Sequence, residues 1–95
     1  MTWEQKLAAL QVLAETSIRM RSPGDWYVSA NMQIGSKDSC LLVGTYGNGA
    51  TPQEAVENHW NKYAMNLPAD QYLVVGVAPY KCYRWGEYMW CEVHP

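Results

Sequence analysis

The segment from Thr51 to Pro68 carries its own start and stop signals, and it limits what the chain can become. Thr51-Pro52-Gln53-Glu54 is a capping box with Pro52 at the first helical position, where its missing N–H costs nothing. Ala55, Val56, His59, Trp60, Tyr63, Ala64 and Leu67 then recur at helical spacing, and Pro68 ends the pattern. A helix with such a stripe has to bury it. The segments on either side are patterned as strands, so the partner is a sheet.

Trp26 to Ile34 alternates strictly. Trp26, Val28, Ala30, Met32 and Ile34 fall on one face, and Tyr27, Ser29, Asn31 and Gln33 on the other, the mark of a half-buried antiparallel strand. Gly35-Ser36-Lys37-Asp38-Ser39 reads as a hairpin connection, and Cys40 to Tyr46 returns as a more apolar strand. Upstream, Thr2-Trp3-Glu4-Gln5 is a second capping box. Trp3, Leu7, Leu10, Ala14, Ser17 and Ile18 extend a helical stripe from it, predicting a helix over 2–20 closed by Ser22-Pro23-Gly24-Asp25.

Downstream, Gln71 to Ala78 is apolar enough for a central strand. Tyr80–Trp85 and Tyr88–Val93 flank Gly86-Glu87, and Gly at the first central position fits a two-residue type II′ turn. That turn pairs residue 85 with 88, 84 with 89, 83 with 90 and 82 with 91, so Cys82 faces Cys91. The expected order is α-β-β-α-β-β-β: a single α+β domain over residues 1–95, with an antiparallel sheet of about five strands carrying two helices on one face.

Composition removes several function classes. Seven basic residues stand against nine acidic ones, a formal charge of −2. The basic residues are scattered, so no basic face marks a duplex-nucleic-acid binder. No apolar run approaches the roughly 18 residues of a membrane span, and no secretory signal is visible. Three cysteines, an odd number, do not make a disulfide framework, so the expectation is reduced thiols in a cytoplasmic protein.

Twelve aromatic residues, five Trp and seven Tyr with no Phe, are the compositional anomaly. Tyr and Trp bury much area while keeping a polar tip, which enriches them at binding hot spots. Tyr83, Trp85, Tyr88 and Trp90 gather in the last hairpin and are the candidate partner-binding residues. A second candidate is the stretch Tyr46, Gly47, Asn48, Gly49 and Thr51. Glycines ahead of a helix N-terminus let backbone N–H groups approach an anion, with Tyr46 or Trp60 near enough to stack on a nucleotide base. The first reading of the same glycines, ahead of the anion site, is that Gly47 and Gly49 only supply positive φ between strand and helix while Thr51 caps.

No spaced carboxylate pair, zinc signature or nucleophile-base motif is present, so neither catalysis, a metal nor a cofactor is expected. A non-catalytic binding protein is the first reading, a nucleotide-sequestering protein the second and an antitoxin-like or RNA-binding module the third. A homodimer stays open.

The opening Met1-Thr2-Trp3-Glu4-Gln5-Lys6-Leu7, then Pro23-Gly24-Asp25-Trp26-Tyr27-Val28-Ser29, Tyr46 to Glu57, and Arg84-Trp85-Gly86-Glu87-Tyr88-Met89-Trp90 resemble a group of small phage and prophage proteins. The resemblance implies expression inside a bacterial host cell. It also implies action by binding and inhibiting or sequestering a host or antiphage-defence factor. Gly49, Thr51, Glu54 and Ala55 in β-β-α order are similar to HicB-type antitoxins and, topologically, to double-stranded-RNA-binding domains. The basic residues those RNA-binding domains place on the second helix are absent here.

Overall fold

A computed structural model describes residues 1–95, the side chain of Cys40 excepted. Helix α1 (Trp3–Leu13) is capped as its sequence dictates: the Gln5 N–H donates to Thr2 Oγ1, and the Thr2 N–H donates to Gln5 Oε1 at 2.8 Å. The helix ends at Leu13, short of residue 20. Thr16–Ser22 forms a strand, β1, instead. The sequence from Thr16 also alternates, with Thr16, Ile18 and Met20 on one side and Ser17, Arg19 and Arg21 on the other. Two periods compete there, and the open edge of the next strand decides between them.

That strand is β2 (Asp25–Ser36). It pairs antiparallel with β1 from Thr16↔Ala30 to Ser22↔Asp25. Pro23 and Gly24 make the turn, Gly24 at φ +76°, the conformation a Pro-Gly type II turn asks for. The four residues that read as a helix stop are therefore a hairpin turn.

On its other edge β2 pairs with β3 (Ser39–Gly49), with Val28 opposite Gly47 and Ser29 opposite Tyr46. Helix α2 (Pro52–Trp60) follows, with Thr51 Oγ1 accepting from the Glu54 N–H at 3.1 Å, and runs into a single π-turn over Asn61–Met65. β4 (Gln71–Val75) returns to β2, β5 (Lys81–Trp85) pairs with β4, and β6 (Trp90–Val93) pairs with β5.

The result is an α+β domain whose described residues form six antiparallel strands in one sheet, along the path β1-β2-β4-β5-β6 with β3 pairing β2 as well. β2 is long enough to hold two partners on one edge: β1 takes residues 25–30, and β4 takes 32–36. The core lies on the face of β2 that carries Val28 and Met32. Around Met32 pack Leu10, Trp60, Tyr63, Leu67 and Leu73. Around Val28 pack Ala55 and Val56, backed by Trp3, Leu7, Ile18 and Trp26. Both helices supply residues to this one face, as the pattern predicts. Among the described residues no helix is long and apolar enough to cross a membrane.

Candidate interaction surface

β5 and β6 pair with Trp85 opposite Trp90, Arg84 opposite Cys91, Tyr83 opposite Glu92 and Cys82 opposite Val93. The sequence predicts a tighter turn; the observed connection spans Gly86–Met89, closed by a Gly86 N–H to Met89 carbonyl bond of 2.8 Å. β6 is thereby displaced two residues from the expected register. Cys82 and Cys91 consequently do not face each other, and both are free thiols. Burial, with the Glu92 carboxylate second, holds the Cys82 thiol above its ordinary range.

A third tryptophan explains the shift. Trp60, at the end of α2, meets Trp85 edge-on at 4.7 Å and Trp90 at 5.8 Å, while Trp85 and Trp90 lie 4.9 Å apart. Such edge-to-face pairs are worth about 0.5–1.5 kcal/mol each beyond the area they bury. The Trp90 indole N–H also donates to the Ala9 carbonyl at 2.8 Å, tying β6 to α1. No local turn preference competes with that cluster.

The four aromatics expected to act together are therefore divided. Trp85 and Trp90 are half-buried supports, Tyr83 is half-buried opposite Leu73, and Tyr88 leaves the ladder. Tyr88 is 88% exposed at the hairpin tip, and Met89 beside it is also exposed. Arg84 anchors the hairpin from its other face. Its guanidinium donates to the carbonyls of Leu67 at 3.1 Å, Pro68 at 2.7 Å and Gln71.

Below the tip an open cleft of about 590 Å³ lies between Met1 and Lys6 of the N-terminal region, Trp60 and Met65 of the α2 end, and Trp85 and Glu87 of the hairpin. Sequence reasoning did not foresee it. Its walls come from three regions far apart in the chain: the Trp60–Trp85–Trp90 contact joins the hairpin to α2, and the Trp90–Ala9 bond and the Lys6–Glu57 ion pair at 3.9 Å bring in the N-terminal region.

The stretch from Tyr46 to Thr51 is placed differently from the loop the sequence predicts. Tyr46 to Gly49 are the last residues of β3, and Gly47 and Gly49 have no positive φ. Their role is close packing. A Cβ on Gly47 would stand 2.5 Å from the Ala55 carbonyl oxygen, and one on Gly49 2.5 Å from the Ala55 nitrogen. α2 thus lies directly on the backbone of β3. Thr51 caps α2, and the Asn48 carbonyl accepts from Asn58 Nδ2 at 2.6 Å.

His59 is fully buried, and neither ring nitrogen has a hydrogen-bond partner. It lies 4.7 Å from the Tyr63 ring, and burial together with Lys62 lowers its pKa to about 4. The imidazole is neutral at pH 7 and serves as an apolar filler. Among the described residues no group of three or more His, Cys, Asp or Glu is arranged to hold a metal ion.

No protein-family model, curated protein or solved structure matches the chain.

Proposed function

We propose that this protein is a non-catalytic interaction protein that binds, and so inhibits or sequesters, a protein of a bacterial host cell, with the β5–β6 tip and the cleft beneath it as the contact surface. One observation carries the reading: Tyr88 stands exposed on a hairpin braced by the Trp60–Trp85–Trp90 cluster. An exposed aromatic on a rigid support loses little conformational freedom on binding, which is what makes such residues strong anchors. Met89 and Met65 add flexible, polarizable apolar surface around it. The resemblance to small phage and prophage proteins supplies the setting, a host or antiphage-defence factor as target.

The test is affinity capture from bacterial lysate with the wild-type chain and with Tyr88→Ala/Met89→Ala. The paired substitutions lie on exposed side chains and leave the tryptophan cluster intact. Capture of a discrete protein by the wild type and its loss with the variant is the expected result. Equal capture by both would remove the hairpin tip from the contact surface.

A further inference from the structure

We propose that the face of the sheet turned away from both helices binds single-stranded RNA, with the Tyr27 and Tyr46 rings as stacking platforms and Arg19, Arg21 and Lys62 on the phosphates. Val28 of β2 is fully buried against Ala55 and Val56 of α2, so its neighbours Tyr27 and Ser29 point the other way. Residues opposite each other in a ladder share a face. Two rows therefore cross the outer surface: Arg19, Tyr27 and Asn48, then Ser17, Ser29 and Tyr46. Arg19 and Asn48 are exposed, and Tyr46 is 47% exposed.

The Tyr27 and Tyr46 rings lie 6.3 Å apart and within 25° of parallel. The Arg21 guanidinium stands 5.0 Å from the centre of the Tyr27 ring. The Lys62 ammonium, reaching round from the end of α2, stands 5.1 Å from that of Tyr46. Three of the seven basic residues, scattered along the chain, thus come together around one pair of rings. Two carboxylates are near. Asp25 is paired with Arg21 at 3.2 Å, and Glu15 lies beyond Ser17, at the end of the face where its carbonyl accepts from the Asn31 N–H. Among the described residues Arg19 and Lys62 form no ion pair.

The occupant follows from this combination. Near-parallel accessible rings offer a π-face to any base, and the cations beside them answer the phosphates between successive bases. Neither row holds an aliphatic side chain to form the apolar centre of a protein interface. A duplex keeps its base faces inside its own stack, so only an unpaired strand can use the rings. The Ser17 and Ser29 hydroxyls, 3.1 Å apart in the row of Tyr46, both donate and accept. That matches a ribose 2′-hydroxyl, the group that separates RNA from DNA. The site is independent of the contact surface at the β5–β6 tip, from which β4 separates it.

Fluorescence anisotropy of a labelled oligouridine of about 12 nucleotides, titrated with the full chain, tests this. Affinity should fall with salt, with a log–log slope near −2, as about three phosphate contacts on a single strand require. Tyr46→Ala should weaken binding about tenfold, and Tyr46→Phe should retain it. Arg19→Ala should weaken binding and reduce the slope by about 0.7. Arg19 is exposed, so this variant keeps the test decisive if circular dichroism shows Tyr46→Ala unfolded. Lys81→Ala, on the other side of β4, should change nothing, and oligodeoxythymidine and duplex RNA of the same length should bind more weakly. Absence of binding overturns the proposal. So does binding that ignores Tyr46→Ala and Arg19→Ala, falls equally with Lys81→Ala, or is as tight for the deoxy strand or the duplex.

Discussion

Gly47 lies directly against His59. A side chain at Gly47 would place its Cβ 2.7 Å from the His59 Cβ and 2.8 Å from the His59 backbone nitrogen. The strand-to-helix distance at this point is set by the absence of a Cβ, and α2 cannot retreat without opening the Val28–Ala55–Val56 cluster.

Gly47→Ala should therefore destabilise the fold, by about 1–3 kcal/mol, the usual cost of forcing a methyl group into a packed site. Urea unfolding measures it. Gly44→Ala is the control, because a Cβ there meets nothing within 4 Å. An equal effect of the two would show that packing against α2 is not what requires Gly47.

The buried histidine makes stability depend on pH. His59 titrates near 4 when folded and near 6.5 when unfolded, so the unfolded chain binds the extra proton between those values. Its contribution is fully present above pH 6.5 and is lost as pH falls toward 4, by about 3 kcal/mol in all. Denaturant midpoints taken between pH 7 and pH 4 should fall accordingly. His59→Leu should flatten that part of the profile and cost little at pH 7, since it removes two unpartnered polar atoms.

Trp90→Phe retains a ring in the tryptophan cluster but removes the indole N–H that the Ala9 carbonyl accepts. A loss of about 1–2 kcal/mol is expected in thermal or urea unfolding. Hydrogen exchange should speed up at the α1 C-terminus and in β6 before it does in β2. Unchanged protection at both would contradict a tie between α1 and β6.

Arg84→Lys should also destabilise, by about 1–3 kcal/mol. A single ammonium cannot reproduce the guanidinium's bonds to the carbonyls of Leu67, Pro68 and Gln71. Tyr88→Ala, by contrast, should leave the unfolding midpoint within about 0.5 kcal/mol of wild type, as expected of an exposed position. A large loss there would place Tyr88 in the fold rather than at a binding surface.

Legibility followed the range of the signal. Thr2 and Gln5, Thr51 and Pro52, and the alternation from Trp26 to Ile34 are each settled by neighbours a few residues away, and all appear where expected. Residues 16–20 satisfied a helical stripe and a strand alternation together. The free edge of β2 chose the strand. The hairpin register was misread for a similar reason: Gly86-Glu87 fits a tight turn, but Trp60, more than twenty residues upstream, holds Trp85 and Trp90 opposite each other.

By itself the sequence determined the α+β class, the capped helix starts, the antiparallel pattern and the aromatic character of the last hairpin, because capping, periodicity and composition act over one or two turns of chain. Only the tertiary structure decided which aromatics became supports and which stayed exposed. It alone also turned Gly47 and Gly49 from an expected loop into a packing contact against α2. Those outcomes depend on contacts between segments distant in sequence, whose free energy exceeds any local preference and whose geometry exists only once the sheet and helices have met.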